Sequence, residues 1–99
     1  MTLVCADNGD GKDMLPLSTF SVLLAIAAER QRQDDKWGVQ RHSWPEWIAI
    51  LTEEVGEAAQ CAVNEHWHPT GDLAALRTEL VQTAAIAVHI IEHIDEVTT

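Results

Sequence analysis

Apolar side chains recur at helical spacing in three stretches of the chain, and no stretch shows the alternating pattern of a strand bounded by hairpin turns. The predicted helices run from residue 18 or 19 to the glycine at 38, from the capping-box Ser43 to about 66, and from about 72 to 97. The pattern therefore predicts an all-α bundle of three main helices. Because three helices joined by short loops bury their faces poorly, we expect a second copy to complete the bundle, as a homodimer or homotetramer.

The two ends of the chain differ in composition. Residues 1–16 are rich in Gly and Asp and end in a proline, which favours a flexible arm. Residues 17–99 carry the helical pattern and are expected to form a single domain, because 99 residues can support only one modest core.

The charge of the chain narrows the class of partner. Six Lys and Arg against sixteen Asp and Glu give a net charge of −10, which repels nucleic acid and anionic lipid. The arm lacks the apolar run of a signal peptide, no uninterrupted apolar run reaches membrane-spanning length, and the two cysteines have no metal-site spacing. We therefore expect a cytoplasmic protein that binds neither nucleic acid nor membrane. If its substrate carries phosphates, a divalent cation is the natural source of positive charge.

Polar residues interrupt the apolar arcs of the second and third helices. Glu54 lies inside the arc of the second helix, Glu57 borders it, and Glu53 points further toward solvent. Glu79 lies inside the arc of the third helix, and Gln82 sits one turn on, at its edge. The two arcs consist of Trp44, Trp47, Leu51, Val55, Ala58 and Ala62, and of Leu76, Leu80, Thr83, Ala87, Ile90, Ile91 and Ile94.

Inward carboxylates on adjacent helices repel each other unless a cation lies between them. Carboxylate and amide oxygens are hard donors that suit Mg²⁺ first and Mn²⁺ second, whereas Zn²⁺ prefers His and Cys. The alternative is a structural one, in which each buried acid pairs with Arg30, Arg77 or a histidine. A zinc-protease pattern at His89, Glu92 and His93 also occurs, but only six residues follow it, too few to supply the third ligand that such a site takes from elsewhere.

Two blocks carry a family resemblance. The EEVGE block at 53–57 followed by ELVQ at 79–82 resembles the EExxE…ExxD signature of the MazG-like all-α nucleoside triphosphate pyrophosphohydrolases. The segments 29–38 and 42–51 look like those of small phage- and mobile-element-type members of that group. The likeness covers roughly residues 25–95.

The resemblance implies hydrolysis of a nucleoside triphosphate between its α and β phosphates, with Mg²⁺ as cofactor. Carried over by motif position, the metal ligands are Glu54, Glu57, Glu79 and Gln82. The expected catalytic residues are Glu53 and Glu54, with Glu53 as a further ligand, an orienter of water or a base. Gln82 stands where the family pattern has Asp, so its oxygen coordinates without charge. A degenerate, non-catalytic nucleotide- or metal-binding or interaction module is therefore the rival interpretation.

Cations and aromatic side chains near the first interhelical turn are candidates for holding the substrate. Lys36, Arg32 and Arg41 are the nearest cations for the outer phosphates. Trp37, beside Lys36, is the preferred platform for stacking a base, whereas Trp47 sits centrally on its arc and is expected in the core.

Overall fold

The computed structural model describes residues 3–5 and 14–99, which form three long helices and a short two-stranded antiparallel sheet. The elements are β1 (Leu3–Cys5), β2 (Met14–Pro16), α1 (Leu17–Trp37), α2 (Trp44–Trp67) and α3 (Ala74–Thr98). The predicted all-α class is confirmed, because the three helices contain most of the described residues. The strands were not predicted, because three residues are too few to show an alternating pattern. Val4 pairs with Leu15 in their register, and residues 6–13 of the predicted arm lie outside the described residues.

Local chemistry explains where the helices begin and end. α1 starts directly after Pro16, slightly earlier than predicted, and ends where Gly38 takes a φ of 70° and its amide donates to the carbonyl of Asp34. α2 has the predicted capping box: the Ser43 hydroxyl accepts from the Glu46 amide, and the Glu46 carboxylate accepts from the Ser43 amide.

The turn between α2 and α3 is organised by one carboxylate. Glu65 accepts hydrogen bonds from the amides of Thr70 and Gly71 and from the Thr70 hydroxyl. Asp72 then accepts from the amide of Ala74 at the start of α3. These bonds close a six-residue connection, residues 68–73, that sets α2 and α3 antiparallel.

The third helix lies between the other two. α1 and α2 both pack against α3, and in the described part of the chain the backbones of α1 and α2 do not approach each other closely. The buried apolar side chains are Trp47, Ala58, Ala85 and Ile90, and the buried polar ones are Gln33, His89 and His93. The apolar arcs expected from the sequence were too wide, since Val55, Leu80 and Ile91 on them are about half exposed.

The sequence of α3 is unusually apolar. Among the described helices it alone has the length and composition of a membrane span, with a mean hydropathy of 1.2 over eighteen residues. This is weak evidence for a membrane, because it rests on the length and composition of a single helix.

Candidate metal centre

Three carboxylates from two helices meet where α2 and α3 pack. Glu54 and Glu57 stand one turn apart on α2, and Glu79 faces them from α3. One carboxylate oxygen from each lies within 4.8 Å of the others. Glu54 and Glu79 are half-buried and Glu57 is exposed. Three of the four metal ligands predicted from the sequence, Glu54, Glu57 and Glu79, are therefore brought together.

The charges of this cluster are poorly compensated. Oε2 of Glu79 is buried and has no hydrogen-bond partner among the described residues. Burial raises the pKa of Glu79, and the neighbouring Glu57 carboxyl raises it further. Burial also raises the pKa of Glu54, with added repulsion from Glu57, Glu79, Glu53 and Glu29. None of the described arginines, lysines or histidines pairs with Glu54, Glu57 or Glu79, so the structural alternative of paired buried acids is not what the geometry shows.

The first helix adds an acid that the sequence analysis missed. Glu29 is half-buried on α1 and accepts hydrogen bonds from Arg32 at 2.8 and 2.7 Å and from Gln33 at 3.1 Å. The bond from Arg32 lowers the pKa of Glu29, although burial opposes it. Gln33 is buried and also donates to the backbone carbonyl of Gln82. Ile26, Glu29 and Gln33 follow one inward-facing stripe of α1, so Glu29 interrupts that stripe as Glu54 and Glu79 interrupt theirs, and helical spacing is the sequence signal that marks it.

A cavity of about 310 Å³ opens beside the carboxylates. Glu54 forms one part of its wall, and the rest comes from all three helices and the α1–α2 loop. Its other lining residues are Gln33, Trp37, Gln40, His42, Trp47, Ile50, Ile86 and His89. The combination of aromatic rings with two side-chain amides is suited to a flat, polar-edged ligand.

The predicted substrate-binding residues are only partly assembled there. Trp37 is 53% exposed and lines the cavity, with the Lys36 ammonium 4.6 Å from its ring centre. Arg32 forms a two-point ion pair with Glu29, which neutralises much of its charge. Arg41 forms a two-point ion pair with Glu96 near the end of α3. Because Glu96 lies seventeen residues beyond Glu79 on one helix, about 25 Å along its axis, the structure does not bring Arg41 to the carboxylates.

Two motif residues flank the cluster without belonging to its closest group. Glu53 is exposed on α2, as expected, and its charge contributes to the raised pKa of Glu54. Gln82 is half-buried one turn after Glu79, and its described hydrogen bond is made by its backbone carbonyl to Gln33.

The histidine pattern on α3 is part of the core. His89 and His93 are buried against Trp47, which is 1% exposed, and the Trp47 indole donates to Nδ1 of His93 at 2.8 Å. Burial lowers the pKa of His89. Glu92 between them is exposed and pairs with Arg30. These contacts give the pattern a structural role, and they confirm Trp47 as a core residue.

Comparison with known proteins adds no family to this geometry: no protein-family model, no curated protein and no solved structure matches the chain. The resemblance to MazG-like enzymes therefore stands on the sequence segments 29–38, 42–51, 53–57 and 79–82 alone.

Proposed function

We propose that the protein is a Mg²⁺-dependent nucleoside triphosphate pyrophosphohydrolase that cleaves its substrate between the α and β phosphates. The observation that carries this proposal is the group of three carboxylates within 4.8 Å, one of them with a buried oxygen lacking a partner. The all-oxygen donor set fits Mg²⁺ and, next, Mn²⁺. The reaction itself comes from the motif resemblance, and the adjoining cavity supports a nucleotide as the ligand.

In this proposal Glu54, Glu57 and Glu79 hold the cation, with Gln82 as a neutral fourth donor. Once held by these residues, a cation would supply positive charge against the phosphates and would lower the pKa of water. Water attacks the α phosphorus, the bond from that phosphorus to the bridging oxygen breaks, and the products are a nucleoside monophosphate and pyrophosphate. Glu53, exposed beside Glu54, takes the proton that the water releases.

The substrate is placed by the residues around the cavity. The base enters between Trp37 and the amides of Gln33 and Gln40, where a ring can stack and its edge can form hydrogen bonds. Lys36, held over Trp37, places a positive charge at the mouth for the outer phosphates. Arg32 is a weaker candidate because Glu29 already binds it, and Arg41 has no part in the proposal. We further propose that the enzyme works as a homo-oligomer in the cytoplasm.

The direct test is product release from a panel of ribo- and deoxyribonucleoside triphosphates with Mg²⁺, with Mn²⁺ and with chelator. We expect metal-dependent formation of monophosphate and pyrophosphate, reduced about 1,000-fold in Glu54→Gln and Glu79→Gln because each loses a charged ligand. Glu92→Gln is the matched control, since it makes the same change at an exposed position of α3. Release that persists in chelator, or in both site variants, would rule the proposal out.

A second candidate is a module that binds metal and nucleotide without turnover. The neutral Gln82 in place of an acid favours it, because the site then has one negative charge fewer to hold a cation. This candidate predicts that no nucleotide in the panel yields product. It also predicts that Mg²⁺ together with a nucleoside triphosphate raises the melting temperature of the protein. Turnover by the wild-type chain separates the two candidates. If wild-type turnover is absent, Gln82→Asp tests the cause, because the restored charge should create turnover in a degenerate catalytic site and none in a module that only binds.

A further inference from the structure

Gln33 is the one buried side chain of α1, and both N–H groups of its amide are occupied. The residue is 6% exposed. Its Nε2 donates to Oε2 of Glu29 at 3.1 Å and to the backbone carbonyl of Gln82 at 3.4 Å. Because an amide nitrogen carries two N–H groups, these two hydrogen bonds use the whole donor capacity of the side chain.

The two partners of Gln33 also fix which way its amide points. A backbone carbonyl only accepts, and the hydrogen bond from Arg32 lowers the pKa of Glu29, so that this carboxyl stays ionised and only accepts as well. Turning the amide over would set Oε1 against two acceptor oxygens with no proton between them. The nitrogen therefore faces Glu29 and the Gln82 carbonyl, and Oε1 faces away from them.

The free oxygen of Gln33 opens into the cavity beside the carboxylates, which the side chain lines. In the described part of the chain the hydrogen bonds of this side chain are the two from Nε2, so Oε1 accepts none. Among the described residues, the one buried side-chain oxygen or nitrogen without a partner is Oε2 of Glu79. Oε1 of Gln33 is therefore open to the cavity, as a hydrogen-bond acceptor in a fixed position.

Other polar groups of the cavity wall can adapt to a donor or to an acceptor. The side chains of Gln40, His42 and His89 form no hydrogen bonds among the described residues. Burial lowers the pKa of His89, so its neutral ring offers one donor and one acceptor. The Trp47 indole N–H already forms a hydrogen bond within the core. Since Glu54 is assigned to the cation, Gln33 is the cavity residue whose hydrogen-bonding role is set before a base enters.

A fixed acceptor selects a base that brings a donor. Cytosine and adenine carry an exocyclic amine where uracil and hypoxanthine have a carbonyl oxygen. With either carbonyl base, two oxygens would face each other, and Gln33 has no unused N–H with which to satisfy the second one. The ring N–H beside that carbonyl does not replace the amine, because it reaches Oε1 only with its own carbonyl oxygen alongside.

We propose that Oε1 of Gln33 sets the base specificity of this chain, which takes nucleotides of cytosine and adenine in preference to those with a carbonyl in place of the amine. The inference rests on the proposed function, because it takes the cavity as the nucleotide site. Gln33 contacts the base and none of the reacting atoms. Glu29 is a positioning residue that acts through the orientation of the Gln33 amide.

The first test compares nucleotides that differ only in this group, CTP with UTP and ATP with ITP, by pyrophosphate release in Mg²⁺. We expect kcat/KM to be about 100-fold higher for the amine-bearing member of each pair, because a buried acceptor left against an oxygen is strongly disfavoured. A ratio below about tenfold in the pair that is hydrolysed faster would overturn the proposal.

Gln33→Met removes the acceptor and keeps the length of the side chain. We expect the ratio of CTP to UTP to fall below about fivefold, mainly through a loss of kcat/KM for CTP. Gln31→Met is the matched control, because Gln31 is an exposed residue of the same helix whose Nε2 likewise donates to an acid four residues on, Asp35, at 3.0 Å. An unchanged ratio in Gln33→Met would contradict the assignment.

Glu29→Gln tests the orientation of the amide and does not depend on how Gln33→Met folds. An amide in place of this carboxylate can donate, so the Gln33 amide is free to turn over and offer an N–H to a carbonyl base. We expect kcat/KM for UTP to rise about fivefold, a gain that a merely structural role for Glu29 would not produce. Circular dichroism checks that the variants keep their helix content. An unchanged ratio of CTP to UTP in this variant would overturn the argument from orientation, and the proposal with it.

Nucleoside monophosphates separate this inference from the proposed function, because they have no bond between α and β phosphates. Cytidine monophosphate should bind the wild-type chain at least about fivefold more tightly than uridine monophosphate by isothermal titration calorimetry, and Gln33→Met should remove the difference. That result without pyrophosphate release from any triphosphate would count against hydrolysis alone. Hydrolysis of CTP and UTP at equal rates would count against the specificity alone. A chain that binds no nucleotide and releases no pyrophosphate would overturn both.

Discussion

The polar side chains at the two ends of α3 differ in whether they have hydrogen-bond or ion-pair partners. At the C-terminal end, His93 accepts the Trp47 indole hydrogen bond at 2.8 Å, and the acids nearby pair with arginines from other elements. At the N-terminal end, Glu79 faces Glu54 and Glu57 with a buried oxygen that no described residue satisfies.

The contrast separates stabilising polar groups from groups kept for binding. A buried polar atom with a partner contributes to stability, whereas one without a partner costs free energy unless a ligand supplies the missing interaction. The C-terminal end therefore defines the fold, and the N-terminal end is the part of the helix that a cation would complete. Substitutions at the two ends should have opposite effects on stability, and the following predictions use that difference.

The largest effect is expected from Trp47→Ala, which removes the partner of His93 at the C-terminal end of α3. Removing a side chain that is 1% exposed should lower the free energy of unfolding by about 3 to 5 kcal/mol. The measurement is urea denaturation followed by circular dichroism. Trp37→Ala is the control, because Trp37 is 53% exposed and its removal should leave stability nearly unchanged. Equal losses in the two variants would show that Trp47 does not anchor the core.

Mg²⁺ should stabilise the protein only through the carboxylate cluster at the N-terminal end of α3. At one hundred times its dissociation constant, Mg²⁺ should stabilise the wild-type fold by about 2.7 kcal/mol, since it binds the folded carboxylates and not the unfolded chain. Thermal unfolding with increasing Mg²⁺ measures this, and the effect should be absent in Glu79→Gln and retained in Glu92→Gln. An equal rise in Glu79→Gln would place the cation elsewhere.

Without metal, Glu79→Gln should stabilise the protein. Burial and the Glu57 carboxyl raise the pKa of Glu79 above its ordinary value of 4.5, so the folded state binds more protons than the unfolded state in the window just above that value. Wild-type stability is therefore lost as the pH rises through this window. At pH 7 in chelator the variant should melt about 5 °C higher. The gap should close below pH 4.5, and a gap that persists there would refute the electrostatic explanation.

The smallest effect is expected from the surface pair at the far end of α3. Arg41→Gln breaks the ion pair with Glu96, both partners of which are about half exposed, and should cost less than about 1 kcal/mol. It should leave both nucleotide turnover and the Mg²⁺ response intact. A large rise in KM for the nucleotide would return Arg41 to the substrate site.

The helices were largely predictable because their signals are local. The capping box at Ser43 and the glycine at 38 lie within a turn of the helix ends that they specify. Which side of each helix packs inward was harder, because both sides of α2 carry apolar residues and only the tertiary contacts choose between them. The β1–β2 pairing depends on segments eight residues apart that are individually too short to predict.

Much of the candidate site could be predicted from the sequence because its signals are also local. Glu54 and Glu79 each break an apolar arc, so their convergence follows once α2 and α3 are adjacent. The partners of Arg32 and Arg41 could not be predicted, because an arginine near a turn has several acids within reach and only the folded backbone selects one. Glu29 was missed because it sits beside a charged run that looks solvent-exposed in sequence.

The central position of α3 also has a consequence for the order of folding. α2 and α3 are joined by only six residues, so they can pair early at low entropic cost. α1 must instead dock on a helix from which thirty-six intervening residues separate it. We therefore expect α1 to join last and detach first, which native-state hydrogen exchange would detect as faster exchange in α1 than in α3. Uniform protection in the two helices would argue against this order. Since Gln33 and Trp37 belong to α1, each detachment would open the cavity wall, and the stability of one helix contact would set how long a bound ligand stays.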